Sequence, residues 1–147
     1  MKNYSVVVDS NLAVLTVVDS ENSPLANRVW TDLNAAGAIF FAPGLWAYET
    51  TSVIRKFNAF GKITPDEAQK ALIILGQMPI HFIADDLPLR QSALDWATRL
   101  RQKAAYDGFY LAAAEQLGAE LWTADQALVN NARQVGASWV HWIGEKK

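Results

Sequence analysis

Residues 106–125 read YDGFYLAAAEQLGAELWTAD, and the order of chemistry along this stretch decides the fold. An amphipathic helix opened by Asp107 runs to Gly118, a residue type that commonly ends helices. The apolar pair Leu121 and Trp122 then reads as a short strand, and Thr123 and Asp125 follow it. In a right-handed strand-helix-strand fold, this unit delivers Asp107 at a helix N-terminus and Asp125 just past a strand end, on one rim of one sheet. Asp9 follows the opening run VVV, and Glu49 lies inside an otherwise apolar helix face. Acids converging from these positions repel one another, and they stay ionised with a cation between them.

Towards the N-terminus, Tyr4 to Val8 lacks polar alternation and reads as a central strand buried on both faces. Asp9, Ser10 and Asn11 end it and are all good helix caps, so LAVLTVV after them reads as a short helix. Asp9 therefore has two readings, a helix cap or a ligand group at the carboxyl edge of the sheet, where open α/β folds bind ligands. Ser20 to Pro24 is a turn cluster, and Leu25, Val29, Trp30 and Leu33 carry a helix to Gly37. Ala38 to Ala42 is the second strand, closed by Pro43 and Gly44. The next helix spans Leu45 to Phe60, with Trp46, Val53, Phe57 and Phe60 as its apolar stripe and Glu49 on the same stripe. A carboxylate there needs a partner, either a neighbouring backbone group or Arg55, or else a metal ion.

Thr64, Pro65 and Glu67 form a capping box, so Asp66 and Glu67 are assigned to that helix start and its dipole. The helix continues through Ala71, Leu72 and Leu75 to Gly76, and Ile80 to Ala84 is the third strand. His81 and His141 have no ligand-spaced partners and read as ordinary strand or loop histidines. Asp85 and Asp86 precede Leu87 and Pro88, which marks a loop and a helix start, not a metal site. The spacing predicts a helix over Ser92 to Lys103 with Leu94, Trp96, Ala97 and Leu100 in its apolar set; Arg99, Arg101 and Lys103 complement its C-terminus. In the helix after Asp107, Tyr110, Ala113, Ala114 and Leu117 give a small-residue face suited to a sheet. Gln126 to Arg133 follows as a helix, Gly136 breaks it, and Ser138 to Ile143 makes an edge strand before a charged, frayed tail.

The 147 residues suit one domain, which at this length buries about 68–70% of the surface its unfolded chain exposes. No repeat, linker or low-complexity segment divides residues 1–147. Apolar residues make up 51% and charged residues 19%, with a net charge of −2, so the chain does not grip nucleic acid by bulk positive charge. A metal ion can supply positive charge where a phosphate sits. With no cysteine and two histidines, disulfides, thiolate nucleophiles and Cys/His zinc sites are excluded, and a reducing, cytoplasmic location is expected. No apolar run approaches the ~18 residues of a membrane span, and Asp9 interrupts the N-terminus before a signal-peptide core.

Strands alternating with helices at this interval call for a parallel sheet covered on both faces. VVVDSN, the segment PGLWAYE ending in Glu49, and AYDGFYLAAAEQLGAELWTAD together resemble a PIN domain, in particular the VapC-like toxins of toxin-antitoxin pairs, over nearly the whole chain. The resemblance implies a three-layer α/β/α sandwich with strand order 3-2-1-4-5 and a Mg²⁺- or Mn²⁺-dependent endoribonuclease. It implies a cluster of Asp9, Glu49, Asp107 and Asp125, with Thr123 as the hydroxyl two residues before the last acid. Gly108 stands where Ala is commoner, and either residue is expected to let the helix start approach the sheet. The resemblance also implies a homodimer and an antitoxin whose tail lies in a groove of the toxin. Arg55, Arg99, Arg101 and Lys103 are the candidates for contact with the RNA backbone. The six tryptophans fit an exposed groove or a core, and the core is expected for Trp30, Trp46, Trp96 and Trp122. A PIN-like RNA- or protein-binding module without activity is the second reading. An aspartyl phosphoryl-transfer enzyme would place another acid beside Asp9, where Ser10 and Asn11 stand.

Overall fold

Five short apolar runs form one sheet in which every neighbouring pair is parallel, in the order β3-β2-β1-β4-β5. The computed structural model describes residues 4–145; Lys146 and Lys147, read above as part of a frayed tail, lie outside them, as do Met1 to Asn3 at the interrupted N-terminus. The strands are β1 (Tyr4–Val8), β2 (Ala38–Ala42), β3 (Ile80–Phe82), β4 (Glu120–Thr123) and β5 (Val140–Trp142). Between them run α1 (Ser10–Leu15), α2 (Ser23–Ala35), α3 (Leu45–Ala59), α4 (Pro65–Gln77), α5 (Leu87–Arg99), α6 (Tyr106–Leu117) and α7 (Gln126–Gln134). Helices cover both faces, as the α/β/α reading requires.

β1 is buried on both sides because its side chains alternate between two cores. Val7 joins Leu121 and Val140 in the larger core with α3 to α7, whereas Val6 and Val8 join Phe40, Trp122 and the α2 residues Ala26, Val29 and Leu33. Trp46, Trp96 and Trp122 are buried as expected, and Trp30 is half-buried, stacked on Phe40 with ring centroids 4.2 Å apart. The capping box of Thr64 and Glu67 forms in full.

Several expectations need correction. α5 begins at Leu87, not Ser92, because Asp86 caps it by accepting from Leu89 N at 2.9 Å and Pro88 sits in its first turn. It ends at Arg99, and its buried positions are Leu89, Ala93, Trp96 and Ala97; Leu94 is exposed on the opposite side. In α3 the buried stripe is Trp46, Thr50 and Ile54, and Phe60 is an exposed C-cap. α6 is buried on more than one side, since Tyr110, Leu111, Ala112, Ala113 and Ala114 are all inside, while Leu117 is only half-buried. Asp107 does not cap α6; that position belongs to Ala105, with Asp107 in the first turn.

Gly108 is also not interchangeable with Ala. A Cβ there would stand 2.2 Å from the carbonyl oxygen of Ala93. The close approach is to the backbone of α5, not to the sheet, so the glycine lets two helices meet where a side chain would separate them.

Candidate active site

The strand order reverses at β1, because β2 and β3 extend the sheet on one side and β4 and β5 on the other. The crevice at the carboxyl ends of β1 and β4 is therefore the topological switch point, where open α/β sheets receive ligands. Val8 pairs with Trp122, and Asp9 N donates to Trp122 O at 3.2 Å, so Asp9 and Thr123 leave the sheet side by side.

Asp9 is buried, and its two oxygens have different jobs. Oδ1 accepts from Leu12 N at 2.8 Å and caps α1; Oδ2 accepts a short hydrogen bond from the Thr123 hydroxyl. The cap and the clustered acid are thus one residue. Thr123 is fully buried, and its Oγ1 also accepts from Asp125 N at 3.0 Å, tying the last acid to the first. Asp125 is exposed and caps α7 by accepting from Leu128 N at 3.0 Å.

Glu49, half-buried on α3, accepts from the Tyr110 hydroxyl at 2.6 Å. Asp107, half-buried on α6, accepts from Gln102 Nε2 at 2.8 Å. Arg55 does not partner Glu49; it donates to Asn58 Oδ1 at 2.8 Å. The acids feel one another. Burial pushes the Asp9 carboxyl up to about 7 against the bonds from Thr123 and Leu12, and the charges of Asp107 and Glu49 push it further in the same direction. Glu49 is raised by burial and by Asp107, with Tyr110 opposing. Asp107 is raised by burial, opposed by Gln102, and raised further by Asp125.

Sequence reasoning did not find Tyr110 and Gln102. The signal for Tyr110 was available: a phenol on a buried helix face must give its hydroxyl a partner, and a nearby carboxylate satisfies it. Gln102 lies in the loop after α5 and carried no such signal.

A cleft of about 430 Å³ is lined by Glu49, Gln102, Lys103, Ala104, Tyr106 and Asp107. On the far side, Asn11, Leu15, Val53, Phe57, Ala124, Asp125 and Gln126 line another of about 390 Å³. Of the cationic candidates, Lys103 lines the acid cleft. Arg101 is exposed in the α5–α6 loop at φ 56°. Arg99 is a correction: its guanidinium lies 3.8 Å from the Trp96 ring centroid and donates to Val135 O at 3.1 Å. Val135 lies a full helix beyond Asp125, about 15 Å at the helical rise, so Arg99 fastens α5 to the far end of α7, away from Asp125.

An all-oxygen donor set suits a hard divalent cation. Among the described residues no three such side chains already stand as a group that could hold an ion. One or two of these carboxylates, with water in the remaining positions, would be enough to hold such an ion.

Solved structures share this architecture. A toxin-antitoxin complex from Klebsiella pneumoniae superposes with a TM-score of 0.67 at 15% identity, over 96% of this chain and 99% of the other. VapC20 of Mycobacterium tuberculosis, a sarcin-ricin loop cleaving toxin, gives 0.62 at 16% identity over 85% and 93%. The fold is that of the VapC toxins. VapBC2 of Rickettsia felis, solved bound to a DNA fragment from its promoter, gives 0.65 at 13% identity over 94% and 98%. No protein-family model matches the chain, and no curated protein matches it. Likeness to the VapC fold is therefore carried by three-dimensional arrangement at low identity. Among the described residues no helix is long and apolar enough to cross a membrane.

Proposed function

We propose that the chain is a Mg²⁺- or Mn²⁺-dependent endoribonuclease, the toxin of a toxin-antitoxin pair. The observation that carries this reading is a set of carboxylates from separate segments, mutually repelling, at the switch point of a VapC-like fold. The names of the structural neighbours, a sarcin-ricin loop cleaving toxin and toxin-antitoxin assemblies, support it.

In this reading Asp9 and Asp107 hold the main ion, and Glu49 and Asp125 hold it through water or hold a second one. Held by these residues, such an ion would supply a water of lowered pKa for attack on the phosphodiester and would offset charge on the leaving 3′ oxygen. Thr123 fixes Asp9 and the backbone of Asp125, Tyr110 fixes Glu49, and Gln102 fixes Asp107, so each acid is held by a neutral donor that leaves its charge available. Lys103 is placed to meet an RNA phosphate at the cleft wall. With no cysteine and no histidine beside the acids, water serves as the nucleophile.

A homodimer and a bound antitoxin both need apolar surface. Phe60 at the end of α3 and Ile73 and Ile74 on α4 are exposed and support such contacts. The test is incubation of purified protein with RNA in Mn²⁺ or in excess EDTA, with mapping of the product ends. Products with 5′ phosphate and 3′ hydroxyl, made only with metal, are expected. A 2′,3′-cyclic phosphate, or cleavage that survives EDTA, would overturn the mechanism.

A further inference from the structure

Beside the acid cleft lies a second, more apolar one of about 400 Å³, walled by Tyr48, Tyr106, Leu89, Phe109, Asp85 and Arg90. Tyr106 lines both clefts, so they adjoin at its side chain. Tyr48 is 77% exposed and Tyr106 58% exposed, an unusual amount of aromatic surface for solvent to meet. Each tyrosine directly precedes one of the clustered acids, Glu49 and Asp107, and so starts from the same backbone.

We propose that Tyr48 and Tyr106 form a stacking subsite for a nucleobase of the RNA next to the cleaved bond. The inference rests on the nuclease reading above and adds what grips the substrate. A chain with a net charge of −2, whose cleft is acidic, gains little affinity for a polyanion from bulk charge. Stacking on aromatic faces supplies affinity without net charge and tolerates any base. The shared wall at Tyr106 places such a base next to the cleft that holds Glu49 and Asp107. Arg90 and Asp85, an exposed ion pair at 3.4 Å, stand at the same cleft with polar groups for a base edge.

The test uses fluorescence anisotropy with two probes, a short single-stranded RNA of mixed sequence and a base-free ribose-phosphate oligomer of equal length. All variants carry Asp107→Asn so that the RNA stays intact. The parent is expected to prefer the base-bearing strand. Replacing Tyr48→Ala and Tyr106→Ala together is expected to weaken that strand about 5- to 150-fold and leave the base-free one unchanged. Tyr48→Phe with Tyr106→Phe keeps the rings and restores the preference; the single Ala substitutions, read the same way, serve if the double variant does not fold. An Ala pair that still prefers bases overturns the subsite, as it would if the cleft served a protein segment. If that happens while the unmodified chain cleaves RNA, the nuclease reading stands and only the subsite falls; if the unmodified chain neither binds nor cleaves RNA, both fall.

Discussion

Two groups of carboxylates sit on the same sheet and are treated in opposite ways. Glu120 and Glu145 gather around β4 and β5 with positive or potentially positive partners. His141 lies 3.4 Å from Glu120 and 3.1 Å from Glu145, Arg133 pairs with Glu145, and Tyr4 and Trp122 donate to Glu120. Asp9, Glu49, Asp107 and Asp125 receive only hydroxyl, amide and backbone donors; among the described residues none of them forms an ion pair. The carboxyl of Glu145 is held low, its burial outweighed by the Trp142 amide, His141 and Arg133, whereas that of Asp9 is pushed up to about 7. The first group faces Arg133 and a histidine as well as neutral donors, and is structural. The second is left without a cationic side-chain partner, and in the proposed reading a metal ion supplies the missing charge.

The sharpest way to break this contrast is Asp107→Asn. RNA cleavage is expected to fall to background while the melting temperature stays level or rises, because one of the crowded charges is gone and Asp107 caps no helix. An unfolded variant would mean that Asp107 is structural after all.

The next effect is pH dependence without metal. The folded state holds the Asp9 proton up to about 7, well above the usual carboxylate value of 3.8, so between those values it binds more protons than the unfolded chain. The Asp9 contribution to stability is therefore full below about pH 4 and is lost as pH rises through 7, by a few kcal/mol at most. Denaturant titrations at pH 5.5 and 8 measure it. Asp9→Asn, which keeps a good helix cap, is expected to flatten the slope and stabilise the metal-free protein at pH 8. Glu120→Ala in the first group is expected to destabilise by about 1 kcal/mol, through loss of its bonds from Tyr4 and Trp122.

Gly108→Ala tests the support beneath the acid cluster. Its Cβ would meet Ala93 O at 2.2 Å, so α5 and α6 must part, at a cost of about 1–3 kcal/mol by chemical denaturation and with reduced cleavage as Asp107 shifts.

The smallest effects separate two cations. Lys103→Ala is expected to weaken RNA binding several-fold and leave stability unchanged, since Lys103 is exposed on the cleft wall. Arg99→Ala is expected to leave RNA binding alone and lower stability by about 0.5–1 kcal/mol, the worth of its contact with Trp96. Anisotropy and thermal melts on both variants decide the matter.

Much of the fold was legible because each strand is a short apolar run between turn residues, and the bounds of β1 and β2 follow directly from Tyr4 to Val8 and Ala38 to Ala42. The positions of Asp9, Asp107 and Asp125 were legible for the same reason, since each stands at a strand end or helix start, and Glu49 was legible as an acid on an apolar stripe of α3. What escaped depends on contacts across the chain. The helix start read at Leu87 and Pro88 is that of α5, but the apolar spacing shows the helix only from Ser92, because the cap Asp86 and the first turn leave no mark in that spacing. Leu94 and Phe60 share a helix with buried residues and nevertheless face outward. The demand for glycine at Gly108 arises from the backbone of α5, fifteen residues earlier, and no local pattern carries it. Arg99 follows the same logic, since its direction is set by Trp96 and by the far end of α7.

The most direct measurement is the melting temperature of metal-stripped protein with and without Mn²⁺ at pH 8. An ion that binds the native state must raise it by mass action, so the wild-type chain is expected to shift upward with increasing Mn²⁺ and Asp107→Asn to shift little or not at all. A wild-type melting temperature indifferent to Mn²⁺ would contradict the claim that the unbalanced acids hold a cation.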